Sequence, residues 1–169
     1  TSGSYFNSRM IREYVYLVAS TPAYYTTEIL GLTIDNINLP KIGSNGNSEG
    51  VAATEVYYSN TTDSSYMFTT IVAMNVQNTT EEPNHKTIMT GGTSAMYVSM
   101  NNVYISYPGA DKTSIYRIHI EDSTITPEAQ GEVPGNILNQ FSMDEHNDYF
   151  RIATTTWEET QKNNVYVLD

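Results

Sequence analysis

Short segments of apolar and aromatic residues recur along the chain, and turn-forming residues separate them. The segments span residues 10–11, 14–19, 56–58, 67–76, 86–89, 95–100, 103–107, 114–120, 125–131, 138–143, 149–155 and 165–168. No window of helical length keeps a period of about 3.6 residues. The pattern therefore predicts an all-β fold of about eleven short antiparallel strands with little helix.

Turn residues between the segments support this assignment. Asn101-Asn102 predicts a two-residue hairpin turn, because asparagine accepts the positive φ values that such a turn requires. Pro108-Gly109 and Pro134-Gly135 predict type II turns, in which proline fixes one φ angle and glycine accepts the positive one that follows.

The segments also form a repeat. Residues 10–17, 98–105 and 142–150 each contain a strand, a short polar turn and a second, aromatic-rich strand, and a third strand follows each unit. If Tyr104 and Phe150 occupy equivalent positions, their spacing is close to the ~40–45 residues of a four-stranded propeller blade.

The repeat predicts a partial β-propeller of about three four-stranded antiparallel blades, the last of them incomplete. The blades span residues 8–90, 94–131 and 137–169, and the first carries an insertion at 21–53. Residues 114–120 have apolar side chains on both strand faces. Stacked blades are covered on both faces, whereas a β-sandwich keeps one face in water, so the pattern favours the propeller.

The composition indicates a compartment. The chain has 14 Tyr, no Cys and 16% charged residues, against about 25% charged residues in typical soluble domains. The absence of cysteine excludes a disulfide scaffold and all thiolate chemistry. Two N-x-Thr sequons, at Asn60 and Asn78, lie in polar stretches that are typical of loops. We therefore expect an extracellular or cell-envelope protein.

The charge balance excludes several partners. The net charge of −11 argues against nucleic acid and against a polybasic membrane surface, because both need clustered Lys and Arg. No apolar run approaches the roughly 20 residues that span a bilayer. The first residues lack the charged and apolar regions of a signal peptide, so we expect a piece of a longer protein.

Several stretches match a known family pattern, and they are densest in the second half of the chain. They are residues 66–74, 102–105, 131–135, 138–145, 151–155 and 164–169. With them the chain resembles secreted bacterial and archaeal proteins that have a C-terminal β-propeller distantly related to WD-40 repeats. The resemblance implies a propeller in a secreted or surface protein. It implies no established reaction and no catalytic residues.

An acidic loop at 144–148 is the first candidate site. Asp144, Glu145 and Asp148 carry hard oxygen ligands of the kind that calcium prefers. The loop lacks the residue order of an EF-hand, and a turn between two strands needs polar residues in any case. Calcium binding and a plain turn both remain open.

Two further features could bear on function. The acid pairs Glu81-Glu82, Glu121-Asp122 and Glu158-Glu159 could serve a hydrolase if two carboxylates faced each other across a cleft. Trp157 could stack on a sugar or anchor a protein partner, or it could cap the edge of the last sheet. His85, His119 and His146 share no zinc-ligand spacing.

These features together predict a non-catalytic extracellular propeller module that binds a protein or glycan partner or acts as a scaffold. It needs no cofactor, with calcium as the exception to test. The alternatives are a hydrolase with carboxylates near the propeller axis and a calcium-stabilised structural module. An incomplete ring exposes sheet edges and a sheet face, so we also expect self-association.

Overall fold

The computed structural model describes residues 2–29, 32–44, 46–58, 66–157 and 159–169. This part of the chain contains sixteen β-strands and two 3-10 turns, at Ala53–Glu55 and Gln140–Ser142. The strands are β1 (Ser4–Ile11), β2 (Tyr14–Pro22), β3 (Tyr24–Ile29), β4 (Leu32–Ile37), β5 (Lys41–Ser44), β6 (Asn47–Gly50), β7 (Val56–Tyr58), β8 (Met67–Asn75), β9 (Asn84–Thr90), β10 (Ala95–Val98), β11 (Asn102–Pro108), β12 (Lys112–Glu121), β13 (Thr124–Pro134), β14 (Met143–His146), β15 (Tyr149–Trp157) and β16 (Gln161–Leu168). The all-β prediction is confirmed.

The chain divides into two compact units, Thr1–Gly91 and Gly92–Asp169. The first unit contains a sheet in the order β1-β2-β8-β9-β7, which we call the first sheet. It also contains two separate hairpins, β3–β4 and β5–β6. The predicted insertion at 21–53 thus forms two small hairpins outside the first sheet, although β2 itself extends to Pro22.

The first sheet departs from the purely antiparallel prediction at one strand pair. Strand β7 pairs with β9 in parallel, with Val56 opposite Thr87. Strand β8 lies between β7 and β9 along the chain, and both of these strands run antiparallel to it. Two strands that both run antiparallel to a third strand point in the same direction, so they pair in parallel when they become neighbours. No local sequence pattern in a three-residue strand predicts this pairing.

The second unit contains two sheets. The second sheet is a four-stranded meander in the order β10-β11-β12-β13, and the third sheet has the order β14-β15-β16. The three strands of the third sheet agree with the predicted incomplete last blade. Strand β11 is buried on both faces, since neighbouring residues such as Val103 and Tyr104 are 0% and 2% exposed. Sheets covered on both faces are what a propeller requires.

The turns were predicted with mixed success. Gly135 has a φ of +84°, as expected for Pro134-Gly135. Gly109 and Asn101 have no positive φ in the described backbone, and Asn102 already belongs to β11. A two-residue turn in which both residues have positive φ lies instead at Asn147-Asp148, with φ values of 51° and 64°. Asparagine and aspartate are the residues besides glycine that best tolerate this region.

The repeat was aligned one residue out of register. Tyr104 and Phe150 are not equivalent positions, because their rings stack on each other with centroids 4.0 Å apart and planes 12° apart. Tyr104 therefore projects from the second sheet towards the third, and Phe150 projects from the third sheet towards the second. A shift of one residue moves a side chain to the opposite face of its strand, so spacing alone could not distinguish the two registers.

Candidate functional site

The third sheet leaves one of its faces uncovered. Side chains alternate along a strand, so Val165 and Val167 project away from the face that carries Phe150 and Ile152. The two valines are 72% and 59% exposed, whereas Phe150 and Ile152 are 4% and 1% exposed. We call this surface the open face, and the strand register places on it Asp144, His146, Tyr149, Arg151, Ala153, Thr155, Trp157, Gln161, Asn163, Val165 and Val167.

The opposite face of the same sheet shows how a neighbouring sheet covers such a surface. Phe150 and Ile152 pack with Tyr104, Ile115 and Val133 of the second sheet in one apolar cluster. Each of these side chains is at most 4% exposed. The open face carries Val165, Val167 and Trp157 together with polar pairs such as Thr155 and Asn163, and nothing in the described chain covers it.

Trp157 belongs to the open face. It stands at the end of β15 opposite Gln161, and it is 74% exposed. It therefore does not cap the edge of the sheet by burial. Its large apolar surface is available to a partner, and its role in binding stays a prediction.

The open face carries no net charge on its strand residues. Asp144 of β14 lies directly opposite Arg151 of β15, and the two side chains form an ion pair. Both side chains are about half exposed, so the pair contributes little to stability. Its effect is to cancel the two charges on a surface of a chain whose net charge is −11.

The three calcium candidates do not converge on one point. Asp144 and Glu145 are consecutive residues of β14 and project from opposite faces, and Asp148 lies in the turn that follows. Among the described residues, no group of three or more His, Asp or Glu side chains is placed to hold a metal ion. Calcium binding at this loop stays a prediction.

Glu145 instead joins the second and third sheets. Its carboxylate accepts a hydrogen bond from Asn102 Nδ2 at 3.0 Å, and its backbone N–H donates to the Tyr97 hydroxyl at 3.1 Å. Burial, and next the hydrogen bond that the hydroxyl donates to Glu145, raise the pKa of Tyr104 well above its usual value.

The acid pairs proposed for a hydrolase have different surroundings. Glu81 accepts the Tyr14 hydroxyl at 2.9 Å and Asn75 Nδ2 at 3.0 Å, so it ties the turn after β8 to β2. Asp122 lies in the turn after β12 with a φ of 51°. Glu158 lies outside the described residues. Glu82 lines a cavity, which is considered below.

Of the two sequons, only one lies in the described chain. Asn60 falls within the stretch 59–65, outside the described residues. Asn78 is exposed, and its Oδ1 accepts hydrogen bonds from the Thr80 N–H at 3.3 Å and the Thr80 hydroxyl at 2.8 Å. A helix long and apolar enough to cross a bilayer does not occur among the described residues.

A cavity of about 830 Å³ lies over the first sheet, and sequence reasoning did not identify it. Leu17, Val72 and His85 are direct cross-strand neighbours on one face of β2, β8 and β9, and all three line it. The remaining lining comes from Met74, from 82–83 and from the segment 42–55, which includes β6. We call this space the first-sheet cavity. Its lining residues come from segments far apart in sequence, so no local motif marks it.

Comparison with known proteins gives the family. The chain matches the model of the β-propeller domain family over residues 1–169. An uncharacterized protein of Archaeoglobus fulgidus is 48% identical over 58 residues, which cover 32% of this chain and 9% of that protein. An uncharacterized protein of Methanocaldococcus jannaschii is 41% identical over 61 residues, which cover 34% of this chain and 9% of that protein. The matched part is thus a small fraction of these relatives. The chain belongs to the β-propeller domain family.

Proposed function

We propose that this chain is a non-catalytic β-propeller module of an extracellular or cell-envelope protein, and that it binds protein through the open face of the third sheet. The occupant is another sheet of the same fold, which for the isolated chain is supplied by a second copy. The module acts as a scaffold in which sheets are added by face-to-face packing.

The exposure of Val165, Val167 and Trp157 on one sheet face carries this proposal. Large apolar side chains exposed together on one sheet face mark interaction sites, and here the hydrogen-bonded pair Thr155–Asn163 lies between Trp157 and the two valines. The packing of Phe150 against Tyr104 on the other side of the sheet illustrates the kind of contact that would cover it. Because the Asp144–Arg151 pair neutralises the face, a second copy meets no local charge repulsion there.

The extracellular location is supported by the low content of charged residues and by the exposed sequon at Asn78. A glycan partner is a narrower alternative that would use Trp157 alone. The hydrolase and the calcium module have less support, since Glu81 and Glu145 are both engaged in hydrogen bonds that hold strands together.

Sedimentation velocity of the 169-residue chain over a range of concentrations tests the proposal. We expect a reversible dimer that Val165→Asp weakens by at least about tenfold, because a buried carboxylate without a partner is strongly unfavourable. Val76→Asp is the matched control, because Val76 is also exposed, at 48%, and lies outside the open face. This control should leave the dimer intact.

Two outcomes would contradict the proposal. One is a monomer at every concentration up to the high micromolar range. The other is an equal loss of association in both valine variants, which would indicate a general effect of added charge. Circular dichroism of each variant confirms that its fold is retained.

A further inference from the structure

The first-sheet cavity differs from the open face in both shape and charge. Its volume of about 830 Å³ lies within the range of typical ligand sites. The floor is apolar at Leu17, Val72 and Met74, and His85 lies beside Val72 on the same face of the first sheet. Ile42 and Val51 add apolar surface from the neighbouring hairpin and the segment that follows it.

The mouth of the cavity is acidic. Glu49, Glu55 and Glu82 all line it and are exposed, and its lining contains no Lys or Arg. None of the three carboxylates forms a salt bridge within the part of the chain that the structure describes. A smaller adjoining space of about 230 Å³ shares Glu55 with the cavity and has Lys86 in its lining. The cavity itself therefore complements a cation attached to an apolar group.

Strand β6 gives the cavity a third property. All four of its residues, Asn47 to Gly50, line the cavity. One edge of β6 pairs with β5, and among the described residues no strand pairs with its other edge. The far edge of β5 is already used, because the Ser2 N–H donates to the Lys41 carbonyl at 2.7 Å. The free edge of this small sheet therefore belongs to the strand whose four residues all line the cavity.

We propose that the first-sheet cavity binds an extended basic segment of a partner protein, which adds as a strand to the free edge of β6. Unpaired N–H and C=O groups of an edge strand pair readily with an extended peptide. Because side chains of such a peptide alternate, one set would place apolar groups on Leu17 and Val72. Lys or Arg side chains of the other set would reach Glu49 and Glu82 at the mouth. This site is independent of the open face.

Fluorescence anisotropy with the full 169-residue chain tests this proposal. The probe is a labelled five-residue peptide that alternates valine with lysine and arginine, and its counterpart carries glutamate in place of the basic residues. We expect the basic peptide to bind about tenfold or more tightly than the acidic one. Glu49→Gln and Glu82→Gln should each weaken binding of the basic peptide by about threefold, the range expected for exposed ion pairs.

The controls separate charge from strand pairing. Glu121→Gln removes an exposed carboxylate that does not line the cavity, and it should leave binding unchanged. A basic peptide N-methylated at every backbone amide keeps its charge but has no N–H to donate to either strand edge, so it should not bind. Equal binding of the acidic peptide, or undiminished binding of the N-methylated one, would overturn the proposal. A chain that is fully monomeric would still bind the basic peptide.

Discussion

At the scale of single residues, Gly135 is a position where the surrounding backbone leaves no room for a side chain. Its φ is +84°, and a Cβ built there would lie 2.6 Å from the Thr155 carbonyl oxygen. Its carbonyl also accepts the buried Thr113 hydroxyl at 2.7 Å. The turn after β13 thus fixes the approach of the second sheet to β15, and it depends on glycine for both the conformation and the space.

Replacement of this glycine should therefore be costly. We expect Gly135→Ala to lower the free energy of unfolding by roughly 1–3 kcal/mol, since it adds both positive-φ strain and a steric clash. Chemical denaturation measures the change. Gly131→Ala is the matched control, because a Cβ at Gly131 meets no atom within 4 Å and φ is not positive there. Similar losses in both variants would show that the turn is not the cause.

Residue-level prediction from sequence succeeded where one residue fixes its own geometry. For Pro134-Gly135 the positive φ at Gly135 was predicted correctly, because glycine is the residue that adopts positive φ without strain whatever the rest of the fold. Asn101-Asn102 did not, because asparagine tolerates positive φ but does not require it, and β11 takes Asn102 into its ladder. The hydrogen-bond partners of Glu145 could also not be predicted from the sequence, since Asn102 lies 43 residues away along the chain.

At the scale of elements, the packing between the second and third sheets depends on the stacked pair Tyr104 and Phe150. Phe150 is 4% exposed and lies in the apolar cluster that spans both sheets. Removal of the Phe150 ring leaves a cavity between the second and third sheets, and the two sheets cannot easily collapse to fill it. The second unit should therefore be sensitive to this one side chain.

We expect Phe150→Ala to destabilise the chain by about 3–5 kcal/mol, as measured by thermal or chemical unfolding. Phe141→Ala is the matched control, because Phe141 belongs to the same unit and is 86% exposed. The control should change stability by less than about 0.5 kcal/mol. A small effect at Phe150 would mean that the two sheets are held together mainly by other contacts.

Most elements could be predicted from the sequence, and the exceptions share a cause. Strands such as β12 carry apolar residues on both faces. Burial on both sides could therefore be predicted from the consecutive residues Ile115 and Tyr116, which lie on opposite faces. The hairpin β5–β6 is polar and short, so its pattern resembles that of a loop. The hairpin β3–β4 has strand-forming residues, and the repeat pattern placed it wrongly within one featureless insertion. The pairing of β7 with β9 joins segments about 30 residues apart, and only the complete sheet determines it. The first-sheet cavity is built from such segments and was missed for the same reason.

At the scale of the whole molecule, the net charge of −11 acts in opposite directions on the two proposed interactions. Two copies repel each other through long-range charge, although their open faces are neutral. A basic peptide is attracted by the same charge and by the carboxylates of the first-sheet cavity. Salt screens both effects, because the Debye length falls to a few ångströms at high ionic strength.

We therefore expect salt to separate the two interactions. An increase from about 0.05 M to about 0.5 M NaCl should strengthen self-association, as measured by sedimentation. The same increase should weaken binding of the basic peptide, as measured by fluorescence anisotropy. Potassium chloride serves as the control for a specific effect of sodium. If both interactions weaken together, the dimer is held by ion pairs and the open face is not its interface.

Strand β16 lies at the edge of the third sheet, and this position has a consequence for amide hydrogen exchange. Successive amides of Gln161–Leu168 point alternately towards β15 and away from the sheet. In the monomer, we expect exchange to be slow and fast at alternate residues along this strand. Packing of a second copy onto the open face would leave the fast amides fast, because they point along the plane of the sheet. Pairing at the edge would slow them, so the exchange pattern of eight residues distinguishes the two ways in which the molecule can be extended.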